Sequence, residues 1–236
     1  MFRVLSVFCL LLLAACSSKN LEQAEIDPAV VHFQEGEVSF EKGLYNDAID
    51  SWEKVRESFY SPELTTLAEF KIAEAYFLNE DYVEASVAFE EFLRSYPGHA
   101  RSADVLFQLG IAYTHQIRSY DQDQEPTRRA LNTFRLFKQS YPDDPRVSEA
   151  ELYIASAHKQ LAKNELAVAQ FYYKTRHYGA TILRLEGLIN NYPNFDRLDE
   201  AYLYLGQAYL KNGDRAKASE AFDSLLKEYA GSEFIE

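Results

Sequence analysis

Few side chains in this sequence are placed for covalent chemistry, and the clearest is a thiol. In MFRVLSVFCLLLLAACSSKN, Cys16 closes a run of about a dozen mostly apolar residues that follows Arg3, with Ala14 and Ala15 directly ahead of it. One basic residue, an apolar stretch and two small residues are the layout of a secretory signal peptide. The stretch is shorter than the about 20 apolar residues that cross a bilayer. Elsewhere the reactive types are scattered. His32, His99, His115, His158 and His177 show no metal-ligand spacing, and no H-E-x-x-H, phosphate-binding glycine loop or G-x-S-x-G occurs. Asp121-x-Asp123-x-Glu125 opens like a calcium loop, yet its sixth position is Pro126 where the turn requires glycine, and its twelfth is Asn132 rather than Glu. Carboxylates just ahead of a helix are read more simply as caps and dipole partners. No catalytic residue, metal site or cofactor is therefore assigned, and the chain is read as a non-enzyme.

Leu13-Ala14-Ala15-Cys16 resembles the lipobox of bacterial lipoproteins. The resemblance implies that the Cys16 sulfur receives a diacylglycerol, and that Cys16 becomes the acylated N-terminus once residues 1–15 are removed. The other cysteine, Cys9, lies inside the removed segment, so packing without disulfides must hold the mature chain. About 220 residues with 47% hydrophobic content suffice for one domain or one repeat array.

The net charge is −13, and its distribution is uneven. Residues 22 to 97 hold 5 Lys and Arg against 18 Asp and Glu, whereas residues 98 to 236 hold 17 against 19. So acidic a first third is unsuited to phosphate backbones, and nucleic acid is excluded as a partner. It is either a solvated surface or a face for a cationic partner.

The elements that would carry these residues emerge from an internal repeat. FLRSYP, FKQSYP and LINNYP end at Pro97, Pro142 and Pro193, each closing a helical stretch. Twelve residues before those prolines stand Ala85, Ala130 and Thr181; eight before, Phe89, Phe134 and Leu185; five before, Phe92, Phe137 and Leu188. Ala48, Trp52 and Val55 fit the frame near the start, and Ala218, Phe222 and Leu225 near the end. A second small residue lies upstream in each unit: Gly36, Ala73, Gly110, Ala169 and Gly206. In four units it precedes the next small residue by twelve positions, and in the third, Gly110 to Ala130, by twenty.

This pattern resembles the tetratricopeptide repeat, two antiparallel helices packed through small residues and bulky knobs. The expected fold is all-α, a tetratricopeptide-repeat superhelix of five helix pairs after a lipoprotein signal peptide. The pairs are 29–43 with 45–59, 63–79 with 81–96, 100–117 with 126–140, 147–174 with 177–191, and 198–212 with 215–229. The stretch 147–174 lacks glycine and proline and predicts one helix about 40 Å long, protruding beyond a standard repeat and buttressing the array. The division is 1–15 signal peptide, 16–28 lipidated flexible tether, 29–142 repeats one to three, and 143–236 repeats four and five.

Within the tetratricopeptide frame, Phe33, Phe70 and Phe107 share one position on the first helices, followed by Phe40, Phe77 and Thr114, with Glu37 and Glu74 between. These phenylalanines are expected to line a groove for an extended peptide with aromatic side chains. The insertion RSYDQDQEPTRRA is expected to be an exposed contact loop, with Asp121, Asp123 and Arg128 as its candidate residues.

Lipobox, five repeats, enlarged third loop and long fourth helix together resemble the BamD family, lipoproteins of the outer-membrane β-barrel assembly machine. The specific segments are Asp121-Gln122-Asp123 with Thr127-Arg128-Arg129-Ala130, similar to the family's D-R-D…T-R-K-A, and Arg184-Leu185-Glu186-Gly187-Leu188, similar to its R-V-E-G-M/L. Gln122 departs from the family's arginine. The resemblance implies that the N-terminal repeats bind unfolded outer-membrane β-barrel proteins. It implies likewise that the C-terminal repeats dock on POTRA domains of BamA through the segment holding Arg184 and Glu186. Other Bam lipoproteins are further implied partners. The implied location is the periplasmic face of the outer membrane, with Ser17 fitting that sorting and palmitate-type acyl chains on Cys16 as anchor. A pilotin-type repeat lipoprotein for secretin assembly, or a regulator of a cell-wall enzyme, is the alternative.

Overall fold

A computed structural model describes residues 27–58 and 61–235 of the chain. The signal peptide, Cys16 and most of the tether lie outside the described residues. Among the described residues ten α-helices follow one another: α1 (Pro28–Glu41), α2 (Tyr45–Ser58), α3 (Pro62–Leu78), α4 (Tyr82–Ser95), α5 (Ser102–His115), α6 (Glu125–Ser140), α7 (Val147–Lys174), α8 (Tyr178–Asn191), α9 (Leu198–Asn212) and α10 (Arg215–Glu228), with a 3-10 turn at Glu233–Ile235. Each helix packs chiefly on its neighbours in sequence, as in a tetratricopeptide-repeat superhelix of five pairs. No described helix is long and apolar enough to cross a membrane.

The helix starts follow local chemistry. Asp27 accepts a hydrogen bond from the Ala29 amide at 2.7 Å, and Ser61 accepts one from Leu64 at 3.3 Å. Pro28 and Pro62 sit where a missing N–H costs nothing. Asp214 caps α10 through the Lys217 amide at 3.1 Å. Asp123, which begins no calcium loop by sequence, accepts from the Glu125 amide at 3.0 Å and thereby helps to start α6.

Inside each pair, the small residue of the first helix faces the bulky residue of the second. A Cβ on Gly36 would lie 2.4 Å from Trp52 Nε1, one on Gly110 2.7 Å from Phe134, and one on Gly206 2.5 Å from Phe222. Glycine there is thus a condition for an aromatic ring to lie flat against the backbone. Trp52 also donates from Nε1 to the Phe33 carbonyl at 3.2 Å, which satisfies its one polar atom in the core.

The long helix is 28 residues, about 42 Å at 1.5 Å per residue. α5, α7 and α9 all begin five residues after the proline of the preceding turn. The small residue comes eight positions into α5 and α9 but twenty-two into α7. Fourteen residues have been added, close to four turns, so the packing face returns roughly 21 Å further along. The first half of α7 covers α6 through Ala150 and Tyr153, whose ring stacks on Phe134 at 4.7 Å. The second half meets α8 and α9 through Ala162, Leu166 and Ala169. α7 therefore joins the core of repeats two and three to that of repeats four and five, with the small cluster Leu131, Ala157 and Leu161 between them.

Candidate functional site

The five phenylalanines expected along a groove do not form one open row. Phe70 is 3% exposed and Phe107 5% exposed. Phe70 meets Phe92 at 5.9 Å, with the Arg101 guanidinium 4.5 Å from its ring centre. Phe107 lies between Phe134 at 5.6 Å and Phe137 at 5.1 Å, with Arg146 over it at 5.0 Å. Both are corrected to interior packing residues. Three residues before the small residue they share its face, as Phe33 does, and their burial is completed where rings of the second helix close on them, Phe92 on Phe70 and Phe134 with Phe137 on Phe107. Arg101 and Arg146, each four residues past the closing proline, then cover the outer side. Sequence reasoning missed this P-x-x-x-R spacing, although it recurs at Arg197.

Phe33, Phe40 and Phe77 remain half-buried. Phe33 leans on Trp52 at 6.3 Å, Phe40 on Trp52 at 5.5 Å, and Phe77 on Phe89 at 6.2 Å. Lys71 sits 4.8 Å from the Phe40 ring and 3.5 Å from carboxylate oxygens of both Glu37 and Glu74. The acidity foreseen between these aromatics is thus shared with a lysine.

The segment between α5 and α6, residues 116–124, which holds the first part of the insertion, is exposed at Asp121 and Asp123, and Arg128 on α6 is exposed beside it. It is nonetheless firmly held. Gln124, 3% exposed, donates to the carbonyls of Ser119 at 2.9 Å and Gln122 at 3.0 Å, and accepts from Thr127 Oγ1 at 3.0 Å. Gln116 ties the loop to the Tyr82 carbonyl at 2.9 Å. From the added turns of α7, Gln160 reaches the Arg118 carbonyl at 2.9 Å and Asn164 the Tyr120 carbonyl at 2.6 Å. The long helix therefore braces the contact loop through two amide side chains.

Arg184 and Glu186 lie on α8 but face different helices. Arg184 is paired with Glu165 of α7 at 3.0 Å and is 45% exposed. Glu186 accepts a short hydrogen bond from the Tyr209 hydroxyl of α9, and Lys217 stands 5.4 Å from that ring.

The Glu186–Tyr209 contact has a counterpart that the sequence reading did not find. Glu90 accepts from Tyr113 at 2.5 Å, across the same separation of 23 residues, and Arg129 also reaches that hydroxyl at 3.2 Å. Burial first, then the neighbouring carboxylate, pushes the Tyr113 phenol up to about 12, so it stays a donor. Glu53 and Tyr76 occupy the same positions one repeat earlier. In the middle of the array the pair becomes Arg135 and His158, 2.7 Å apart and again 23 residues apart. Burial and then the Arg135 charge depress the His158 pKa, leaving a neutral imidazole to accept from the guanidinium.

A family model described as an outer membrane lipoprotein, YfiO, matches residues 26–225. A Caulobacter vibrioides protein named outer membrane protein assembly factor BamD is 27% identical over 203 residues, covering 85% of this chain and 67% of its own length. An Aquifex aeolicus protein named putative outer membrane protein assembly factor BamD is 29% identical over 232 residues, covering 96% of this chain and 76% of its own. Among solved structures, YrrB, described as a TPR protein with an unusual peptide-binding site, aligns at 17% identity and a TM-score of 0.37 over 86% of this chain and 87% of its own.

Proposed function

The chain belongs to the YfiO family of outer membrane lipoproteins, and from that premise we propose that it is a lipid-anchored periplasmic scaffold of the β-barrel assembly machine. The observation that carries this reading is the extent of the family match, which runs from the tether into α10, over both halves of the array. Relatives matched over 85% and 96% of this chain bear the assembly-factor name.

On this reading residues 29–142 receive unfolded outer-membrane β-barrel proteins. Phe33, Phe40 and Phe77 are the aromatic contacts left to the groove once Phe70 and Phe107 are assigned to packing. The braced loop with Asp121, Asp123 and Arg128 offers a second contact. Residues 143–236 dock on BamA POTRA domains, with Arg184 and Glu186 on that side, and other Bam lipoproteins join the same assembly. Acyl chains on Cys16 hold the array at the inner surface of the outer membrane, and two or three chains make that anchorage stable. Tethering raises the local concentration of the array near the barrel subunit without any new contact. The work is binding and positioning, so no covalent step and no cofactor is required.

Affinity purification of the tagged full chain from detergent-solubilised envelopes tests this reading. BamA is the expected principal co-purifying species; a secretin or a peptidoglycan synthase in its place overturns the assignment. Arg184→Glu breaks the ion pair to Glu165 and sets two carboxylates together. It should lower BamA recovery while the helical circular dichroism stays intact, and full recovery would count against this docking side.

A further inference from the structure

The fourteen added residues of α7 leave a groove where the array changes step. It is a cavity of about 400 Å³ between the C-terminal end of α6, the middle of α7 and the turn at 192–196. Its lining includes Ile154, Ala155, Tyr192 and Phe195, and its half-exposed lips carry Lys138 and Lys159 together with Glu151 and Asp196. The Tyr192 ring stands edge-on to His158 at 5.8 Å. We propose that this groove docks a carboxylate-bearing peptide segment of a partner protein, with Arg135, which bonds the lining residue His158, as the anchoring cation.

The charge argument comes from the repeat itself. Where the 23-residue contact is made by a tyrosine, the facing side chain is a glutamate, Glu90 for Tyr113 and Glu186 for Tyr209, and Glu53 stands 23 residues before Tyr76 in the same frame. Beside the groove, and only there among these four junctions, the carboxylate is replaced by a cation. Arg135 contacts the neutral ring nitrogen of His158, and among the described residues no carboxylate oxygen lies within 4.0 Å of it. The position that elsewhere supplies a negative charge is thus left asking for one, beside a partly apolar groove. The lip lysines are each paired, Lys138 with Glu151 and Lys159 with Asp196, but all four side chains are about half exposed. Such surface pairs contribute little and exchange readily. An incoming Asp or Glu can therefore take a charge-assisted bond from Arg135 while an adjacent apolar residue covers Ala155 and Phe195. The inference rests on this geometry alone and goes beyond the assembly reading, which names none of these lining residues as a contact.

The test uses the full chain in lipid nanodiscs and a phage-displayed random dodecapeptide library, counter-selected on empty nanodiscs. The Arg135→Glu variant restores the acidic member of the contact opposite His158, so its melting temperature should equal or exceed that of the parent. The recovered pool should be enriched several-fold in Asp and Glu next to apolar residues. Its synthetic consensus peptide should bind Arg135→Glu at least tenfold more weakly than the parent, the loss expected for one charge-assisted bond, and Arg135→Lys should recover part of that affinity. A pool without acidic enrichment, or a consensus that loses less than tenfold, overturns the proposal. So does binding to phosphatidylglycerol vesicles that depends on Arg135 when no peptide is selected, since that would make the groove a lipid-headgroup site.

Discussion

Gly110 shows how much one missing methyl group decides. The Phe134 ring is fully buried, with Phe107 and Tyr153 against it, and cannot retreat from a Cβ placed 2.7 Å away. Gly110→Ala should destabilise the protein by about 1–3 kcal/mol through overpacking, despite the higher helix propensity of alanine. Gly187 on α8 has open space around the same position, so Gly187→Ala is the control and should stabilise by roughly 0.5–1 kcal/mol. Urea denaturation of both variants decides it; a gain in stability at Gly110 would refute the packing argument. Acid behaviour is also set at single residues. Arg146 donates to Asp144 at 2.9 and 2.7 Å and holds that carboxyl down at about 2, below its ordinary 3.8. A depressed carboxyl pKa adds stability that is complete above the unfolded value and disappears as pH falls through the folded one. Between pH 4 and pH 2 the melting temperature should therefore drop more steeply for the parent than for Asp144→Asn. Parallel profiles would show that the pair contributes nothing.

Among the elements, the turn between the two helices of a pair follows a rule that only partly reaches the sequence. Seven residues past the small residue the backbone is left-handed, at Gly43 with φ 73°, Glu80 with φ 64°, Arg176 with φ 64° and Gly213 with φ 91°. Two repeats meet this with glycine, and two carry a side chain where the conformation costs about 1–2 kcal/mol. Glu80→Gly and Arg176→Gly should each raise stability by roughly 0.5–1 kcal/mol after the greater freedom of glycine in the unfolded chain is deducted. An unchanged or lowered urea midpoint would count against the rule. In the third repeat the same place is Ile117, directly before the insertion, and its backbone is not left-handed. Helix α7 was legible for the opposite reason: without glycine or proline nothing interrupts it, and its 28 residues match the uninterrupted stretch. Its brace on the loop was not legible, because Gln160 and Asn164 meet carbonyls more than forty residues away.

For the molecule as a whole, the fold and the anchoring are separable. Among the described residues, each helix packs chiefly on its neighbours in sequence. Cys16→Ser should therefore leave the helical spectrum and the melting temperature unchanged while moving the protein from the membrane pellet to the soluble fraction. Retention in the pellet would exclude the acyl chain as the principal attachment. The number, order and approximate limits of the helices were determined by the sequence alone, since small and bulky residues at fixed spacing and the punctuation between them act over a few residues. The candidate site was less legible. Spacing placed Phe70 and Phe107 on one face of their helices but could not say that the partner helix would occupy that face. Nor could it pair Glu90 with Tyr113 or Arg135 with His158, because such contacts depend on how one repeat leans on the next. Tertiary structure alone decided the groove on α7: fourteen residues that read as mere helix become a four-turn step only when α6 and α8 pack on opposite halves of the same rod.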